Sequence, residues 1–309
     1  MTQPRAAIGI DIGGTKILGT IVDTAGAVRE SQQVPTPAGG AGRIIDATRS
    51  LVQSLRASST GELITACGVG TAGVVVGNQV VSANALIPDW AGAPLAPMLA
   101  DELGCPVSLL NDVHAAAVGE LRVGALRDSS QALVVAVGTG VGGALVMKGR
   151  VAEGARGIAG SIGHIPAPHG GMRTCPCGAR GHLEAYAGGR GMEQSYREQG
   201  GDVGSLRDIA ARARDGEALA RQVIAGAAAL LGRALGGLAN TLDLDTVLLA
   251  GGVPDIGGLY WDALLESLRT EGMRSAAVRV VPAQLGGYAT AVGAALHSLA
   301  LTRAKRADE

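Results

Sequence analysis

The stretch AAIGIDIGGTKILGTIV, residues 6–22, decides how the rest of the chain is read. Residues 6–12 form an apolar run that reads as a buried strand, two glycines interrupt it, and residues 17–23 read as a second strand. Gly13 and Gly14 carry no Cβ, so backbone N–H groups following the strand can point at an anion. Thr15 adds a hydroxyl, Lys16 a cation, and Asp11 an acid placed to organise a hydrated Mg²⁺. Asp11 and Lys16 also argue against a signal peptide or a membrane span here. The pattern recurs in ALVVAVGTGVGGALVM, residues 132–147, where an apolar strand, a glycine turn and another apolar strand follow one another. Neither turn matches G-x-x-x-x-G-K-[ST], and the second leads into a strand, so it is not a dinucleotide fingerprint. On these residues alone, two plain hairpin turns are the competing reading.

Working outward, RIIDATRSLVQSL places Ile44, Ile45, Thr48, Leu51, Val52 and Leu55 on one helical face. ITACGVGTAG and PVSLLND each read as a buried strand ending in a turn, and VHAAAVGELRVG as a helix. A long helix near 216–239 precedes TVLLAGG, a strand ending in a double glycine, and YATAVGAALHSLAL is a closing helix of small residues. The tail after Thr302 is expected to fray. Strands alternating with helices indicate α/β layers, and the repeated glycine hairpin suggests two similar lobes facing a cleft.

Composition narrows the function. The 309 residues carry 26 basic and 27 acidic side chains, a net charge of -1, with no run of either sign. That disfavours a nucleic-acid partner and offers no polybasic membrane handle. The apolar segment at 223–239 contains Arg233 and several glycines and reads as a buried helix. Without an export signal, the four cysteines are expected as reduced thiols or metal ligands in a cytoplasmic protein. LLND, residues 109–112, offers Asp112 as a base for an attacking hydroxyl, or else Asn111 or Asp112 as a simple helix cap.

DIGGTK, the ND pair, GTGVGG and the GH…CPCGARGHLE segment, in that order, resemble the ROK group of sugar kinases and repressors. The resemblance spans essentially residues 6–297. It implies a two-lobed actin-like (ribonuclease H-like) ATPase fold, with residues 1–115 plus 287–309 as one lobe and 116–286 as the other. It further implies transfer of the ATP γ-phosphoryl group to a hexose 6-hydroxyl. By that resemblance Asp112 is the catalytic base. Gly73, Asn84, Asn111, Ser161, His164 and Glu184 lie on the sugar side. Asp11, Gly13, Gly14, Thr15, Lys16, Gly138, Thr139, Gly140, Gly142, Gly143, Gly251 and Gly252 serve ATP and its Mg²⁺. A structural zinc would take His164, Cys175, Cys177 and His182, the last standing where the family usually has a third cysteine; His169 is the rival fourth ligand. A homodimer is the family's usual assembly.

Two departures bear on the substrate. Ser161 replaces the glutamate of the family's E-x-G-H, and the loop SANALIPDW alters the spacing between Asn84 and Trp90. The segment from Gly157 to Met192 looks most like N-acetylmannosamine kinases, so N-acetylmannosamine is the expected acceptor and glucose the alternative. The repressor branch carries a helix-turn-helix module before the first glycine turn. Only ten residues precede Asp11 here, so an enzyme rather than a regulator is expected. A sensor that binds sugar without turnover is disfavoured by Asp112.

Overall fold

The computed structural model describes residues 3–59, 61–83, 87–168, 170–202, 204–273 and 277–307. Asn84 and His169, both named above, lie outside the described residues. In chain order the elements are β1 (Arg5–Ile12), β2 (Lys16–Asp23), β3 (Val28–Pro35), α1 (Ala41–Ser58), β4 (Leu63–Thr71), β5 (Val74–Val76), β6 (Gln79–Ser82), α2 (Leu95–Leu103), β7 (Val107–Asn111) and α3 (Asp112–Val123). There follow β8 (Gln131–Val137), β9 (Val141–Met147), β10 (Arg150–Val151), α4 (Glu184–Ala187), α5 (Gly189–Glu198), α6 (Leu206–Arg214), α7 (Ala218–Leu242), β11 (Thr246–Ala250), α8 (Gly258–Glu271), β12 (Arg279–Pro282) and α9 (Ala289–Ala307).

The chain divides into two compact units, Met1–Asp128 with Arg150–Ala159 and Gln284–Glu309, and Ser129–Gly149 with Gly160–Ala283. The expected boundaries differ from this division at residues 116–128, which include most of α3, at 150–159 and at 284–286, all of which belong to the first unit. The reason for α3 is close packing on α9. A Cβ on Gly119 would meet the Ala289 carbonyl, and one on Gly293 the Ala115 carbonyl.

In the first unit the sheet order is β3-β2-β1-β4-β7. The three strands β1 to β3 form an antiparallel meander, while β1, β4 and β7 run parallel. Strands β1 and β4 are buried along nearly their whole length, as strands covered on both faces must be. One face meets α1 and α2. All six residues of the expected α1 face are buried there, each large apolar one worth about 1.5–3 kcal/mol relative to exposure. The other face meets α9 through Ala7, Val22, Ala66, Val292, Ala295 and Leu299. Gly9 and Gly68 permit that contact, since a Cβ at either would run into the α9 backbone.

The second unit repeats the plan. Strands β8 and β9 form an antiparallel glycine hairpin, and β8, β11 and β12 run parallel. Its core joins these strands to α5, α6, α7 and α8. Helix α7 is the one helix among the described residues long and apolar enough to cross a membrane. Its Ala220, Ile224, Ala228, Leu231 and Leu235 are buried in this core. The segment after Thr302 does not fray as expected; it continues α9 as far as Ala307.

Candidate active site

Parallel strands end together, so their C-terminal residues converge. The register pairs Asp11 with Gly70, and Thr71 with both Ile12 and Asn111, so Asp11 and Asn111 end strands separated only by β4. The chain passes directly from β7 into α3, and Asn111 caps that helix. Its Oδ1 accepts from Val113 N at 3.0 Å and His114 N at 3.2 Å, and its Nδ2 donates to the Gly73 carbonyl at 3.0 Å. Gly73 has a φ of 107°, and a Cβ there would meet the Ser82 carbonyl. The two sequence readings of the ND pair therefore separate: Asn111 is the cap, and Asp112 is the first helical residue, its Oδ1 accepting from Val113 N at 2.9 Å.

Burial pushes the Asp112 carboxyl above its usual range, against the lowering pull of the Val113 amide and Asn111. Burial likewise raises Asp11 to about 7, the neighbouring Asp112 adding to the shift and Lys16 opposing it. Buried, interacting carboxyls with raised proton affinity are concentrated at functional sites.

The turn after β1 is tight. Gly13 N donates to the Lys16 carbonyl at 3.0 Å. Thr36, which sequence reasoning passed over, pins the turn by its hydroxyl on the Gly13 carbonyl at 2.6 Å and its amide on the Thr15 carbonyl at 2.9 Å. The Gly14 and Thr15 amides have no acceptor among the described residues. Lys16 is exposed, with Nζ 3.4 Å from Gln33 Oε1.

In the second unit the Gly138–Thr139–Gly140 turn is fastened from behind. Gly138 N donates to the Gly140 carbonyl at 3.0 Å, and the Gly189 and Arg190 amides opening α5 donate to the Gly138 and Thr139 carbonyls at 2.8 Å and 3.1 Å. Glu184 Oε2 accepts from Val141 N at 3.0 Å. The Thr139 and Gly140 amides remain without an acceptor among the described residues. Gly142 and Gly143 are not in the turn, as expected from the GTGVGG run, but in β9, opposite Ala136 and Val135. Gly143 gives room to the Gly160 carbonyl. Gly251, with a φ of 88°, abuts the Val137 backbone, and the Val253 amide donates to the Val137 carbonyl at 3.0 Å. The double glycine after β11 thus borders the end of β8.

The ligating atoms of His164, Cys175, Cys177 and His182 all lie within 4.8 Å of one another. Cys175 Sγ is 3.6 Å from His164 Nδ1, and Cys177 Sγ is 3.3 Å from His182 Nδ1. A tetrahedral zinc with two sulfur and two nitrogen ligands sets its donors about 3.3–3.8 Å apart, so this set fits one ion with small side-chain adjustments. The knuckle is closed by Cys175 N on the Ala179 carbonyl and Gly178 N on the Cys175 carbonyl, both at 2.8 Å. Burial pushes the Cys175 thiol up to about 12, so metal capture would release its proton. Glu184 Oε1 lies 3.8 Å from Cys175 Sγ, so one carboxyl touches both the cysteine and the glycine turn.

Arg173 carried no sequence signal, yet it docks this segment. Its guanidinium donates to the Ala185 and Gly191 carbonyls at 3.3 Å and 3.2 Å and to Ser195 Oγ at 2.9 Å, pairs with Glu198, and lies 4.8 Å over the Tyr186 ring. Ser161 is half-buried, precedes the short helical turn Ile162–His164, and its hydroxyl has no hydrogen bond among the described residues.

The geometry therefore groups Asp11, Gly13 to Lys16, Gly73, Asn111 and Asp112 in the first unit. It groups the second glycine turn, Ser161, Glu184, Gly251, Gly252 and the His/Cys set that could hold a metal in the other.

The chain is 32% identical over 310 residues to a glucokinase of Streptomyces coelicolor, covering 93% of this chain and 96% of that protein. It is 34% identical over 251 residues to an N-acetylmannosamine kinase of Yersinia pseudotuberculosis, covering 80% of this chain and 82% of that one. Among solved structures, a ROK family glucokinase from Streptomyces griseus in complex with glucose and AMPPNP superposes with a TM-score of 0.82 at 32% identity, over 96% of this chain and 99% of that chain. The fold is the actin-like α/β ATPase fold. The ROK family profile matches residues 7–301, and the chain belongs to the ROK family.

Proposed function

We propose that the protein is an ATP-dependent sugar kinase that phosphorylates the 6-hydroxyl of N-acetylmannosamine. The observation that carries the reading is Asp112, a carboxyl of raised proton affinity on the first turn of α3, flanked by the cap Asn111 and electrostatically coupled to Asp11. Phosphoryl transfer asks little covalent chemistry of a protein; it needs an aligned hydroxyl, a base for its proton and charge stabilisation. Asp112 takes the proton of the attacking hydroxyl as the bond to phosphorus forms and ADP leaves. Asn111, and with it Gly73, supports the sugar side. The free amides of Gly14 and Thr15, and of Thr139 and Gly140, suit the nucleotide phosphates, with Gly251 and Gly252 beside the adenosine. When bound, Mg²⁺ neutralises phosphate charge, and Asp11 is the acid that would organise its hydration shell. Zinc on His164, Cys175, Cys177 and His182 would be structural and fix the His164 and Glu184 segment. The proposed enzyme is soluble, cytoplasmic and a homodimer.

The choice of sugar rests on Ser161. A glutamate there could accept charge-assisted bonds from sugar hydroxyls near carbons 1 and 2. Serine is short and neutral, and its hydroxyl has no partner among the described residues to compete with a ligand. An axial 2-acetamido group gains space and loses no charged partner. The glucokinase reading is the second one, favoured by the glucokinase match along nearly the whole chain. Comparing kcat/KM for N-acetylmannosamine, N-acetylglucosamine and glucose decides between them. N-acetylmannosamine should lead in the wild type, and Ser161→Glu should shift preference toward glucose by about tenfold, the worth of one good polar contact. Glucose leading by tenfold or more in the wild type would assign the enzyme as a glucokinase.

A further inference from the structure

Glu120 is 1% exposed, a buried carboxyl with no ion pair among the described residues. Burying such a group costs free energy unless hydrogen bonds replace its water. Here three backbone amides replace it, two of them from a distant part of the chain. Oε1 accepts from Gln284 N and Leu285 N, both at 2.9 Å, and Oε2 accepts from Ala125 N at 2.8 Å. Gly124 has no Cβ to displace the carboxyl, which fills the space one would occupy. Glu120 therefore ties the last turn of α3 to the segment that opens α9.

What α9 does at that end gives the tie a purpose. Ala289 and Thr290 begin the helix, and the Thr290 hydroxyl donates to the Asp112 main-chain carbonyl at 3.3 Å. The Thr290 methyl occupies the space beside Gly70, the residue paired with Asp11 across β1 and β4. Ala291 lies against Gly9, two residues before Asp11. The first turn of α9 thus supports both carboxyls from behind, and its approach is set by the amides of residues 284 and 285.

We propose that Glu120 is a positioning residue for the Asp11–Asp112 pair, acting through the first turn of α9. The inference rests on the kinase reading, because only a reaction makes sub-ångström placement of Asp112 matter. Glu120→Gln puts an amide NH₂ against a backbone N–H and loses at least one of the three bonds. Thr290→Val removes the direct bond to the Asp112 carbonyl while keeping the volume. Near-attack alignment is steeply distance-dependent, so Glu120→Gln should lower kcat by about 5–20-fold and Thr290→Val by about 3–10-fold. The KM values for sugar and ATP should stay within about twofold, since ground-state contacts are untouched.

Val52→Ala, a truncation of the α1 side of the same unit, supplies a control whose loss of melting temperature is comparable but whose kcat should hold. Amide hydrogen exchange gives a readout independent of turnover: Glu120→Gln should lose protection over 284–292 and also over 110–115. Protection lost only at 124–126 and 284–286, with kcat unchanged in both variants, would reduce Glu120 to a local staple and overturn the proposal. If the wild type forms no sugar phosphate, the kinase reading fails, and the exchange pattern still decides whether Glu120 positions the Asp112 segment. Should Glu120→Gln not fold, Thr290→Val alone carries the test, and an unaltered kcat in it overturns the proposal.

Discussion

The two glycine turns are alike in what they offer and different in what holds them. Each ends a buried strand, closes with one internal backbone bond, and leaves two successive amides without an acceptor among the described residues: Gly14 and Thr15 in the first, Thr139 and Gly140 in the second. The first is open, with space around Gly14, and its neighbours are the coupled carboxyls Asp11 and Asp112. The second is fastened by two α5 amides and by Glu184, whose carboxyl also reaches Cys175. The same local sequence idea therefore yields a turn next to titrating groups in one unit and a turn braced by Glu184, beside the His/Cys cluster, in the other. On the proposed reading, proton transfer takes place beside the first turn, and the second turn has the firmer hold for aligning the nucleotide. Each can be broken separately.

The largest effect should come from Asp112→Asn. The amide keeps the shape but cannot take a proton, so kcat should fall by about 10²–10⁴-fold while sugar affinity changes far less. Because burial raises this carboxyl's proton affinity, its ionised form destabilises the fold. The variant should consequently melt a few degrees higher, as in other stability–function trade-offs. A variant that keeps most of its kcat would make Asp112 a structural start to α3 and nothing more.

The second break is at the brace. Cys175→Ser should abolish stoichiometric metal, read by elemental analysis of protein purified without added zinc. A structural zinc contributes about 10–16 kcal/mol to ordering its segment, so the melting temperature should fall sharply. His182→Cys should keep the ion, since thiolate and imidazole both suit tetrahedral zinc. Through Glu184 the loss should also raise the KM for ATP, which a metal site unconnected to the glycine turn would leave alone.

How much of this the sequence disclosed follows from distance along the chain. Helix α1 was legible because its buried face repeats at helical spacing. The glycine hairpins were legible because strand, turn and strand are contiguous. The His and Cys cluster that could hold a metal ion was legible within a span of nineteen positions, from His164 to His182. Strand β3 was not, since it alternates exposed and half-buried residues and carries little apolar signal. Glu120 was hidden because the amides that neutralise its burial come from residues 284 and 285. Glu184 was read as a sugar contact, and its bond to Val141 could not be foreseen from residues 43 apart in sequence. A local pattern reveals an element; a buried polar group is explained only by whatever folds over it.

A smaller effect is expected in the pH dependence of stability. The Asp11 carboxyl titrates at about 7 in the fold against 3.8 in the unfolded chain. Between those values the folded state holds the extra proton, so stability should fall as pH rises from about 4 to about 7, with an upper bound of about 4 kcal/mol. Asp11→Asn should flatten this slope in urea titrations. Saturating Mg²⁺ with nucleotide should flatten it too, by favouring the ionised carboxylate.

The finest test contrasts one methyl group in each turn. At Gly140 an added Cβ would collide with the Glu184 carboxyl. Glu184 must then leave Val141 N or the turn must shift, and either loosens the Thr139 and Gly140 amides. Gly140→Ala should raise the KM for ATP about tenfold, the cost of roughly one misplaced hydrogen bond to a charged oxygen. At Gly14 the added Cβ would meet nothing within 4 Å, and this glycine is not among those with positive φ. An alanine there is accommodated by the backbone, and the smaller entropy of the unfolded chain even favours it by a few tenths of a kcal/mol. Gly14→Ala should change kcat and the KM for ATP by less than about twofold as far as the turn itself is concerned. A larger loss at Gly14 would mean that a phosphate oxygen approaches closely enough to need the space a methyl takes. In that event the first turn grips the nucleotide more tightly than the second, reversing the division of labour argued from their bracing.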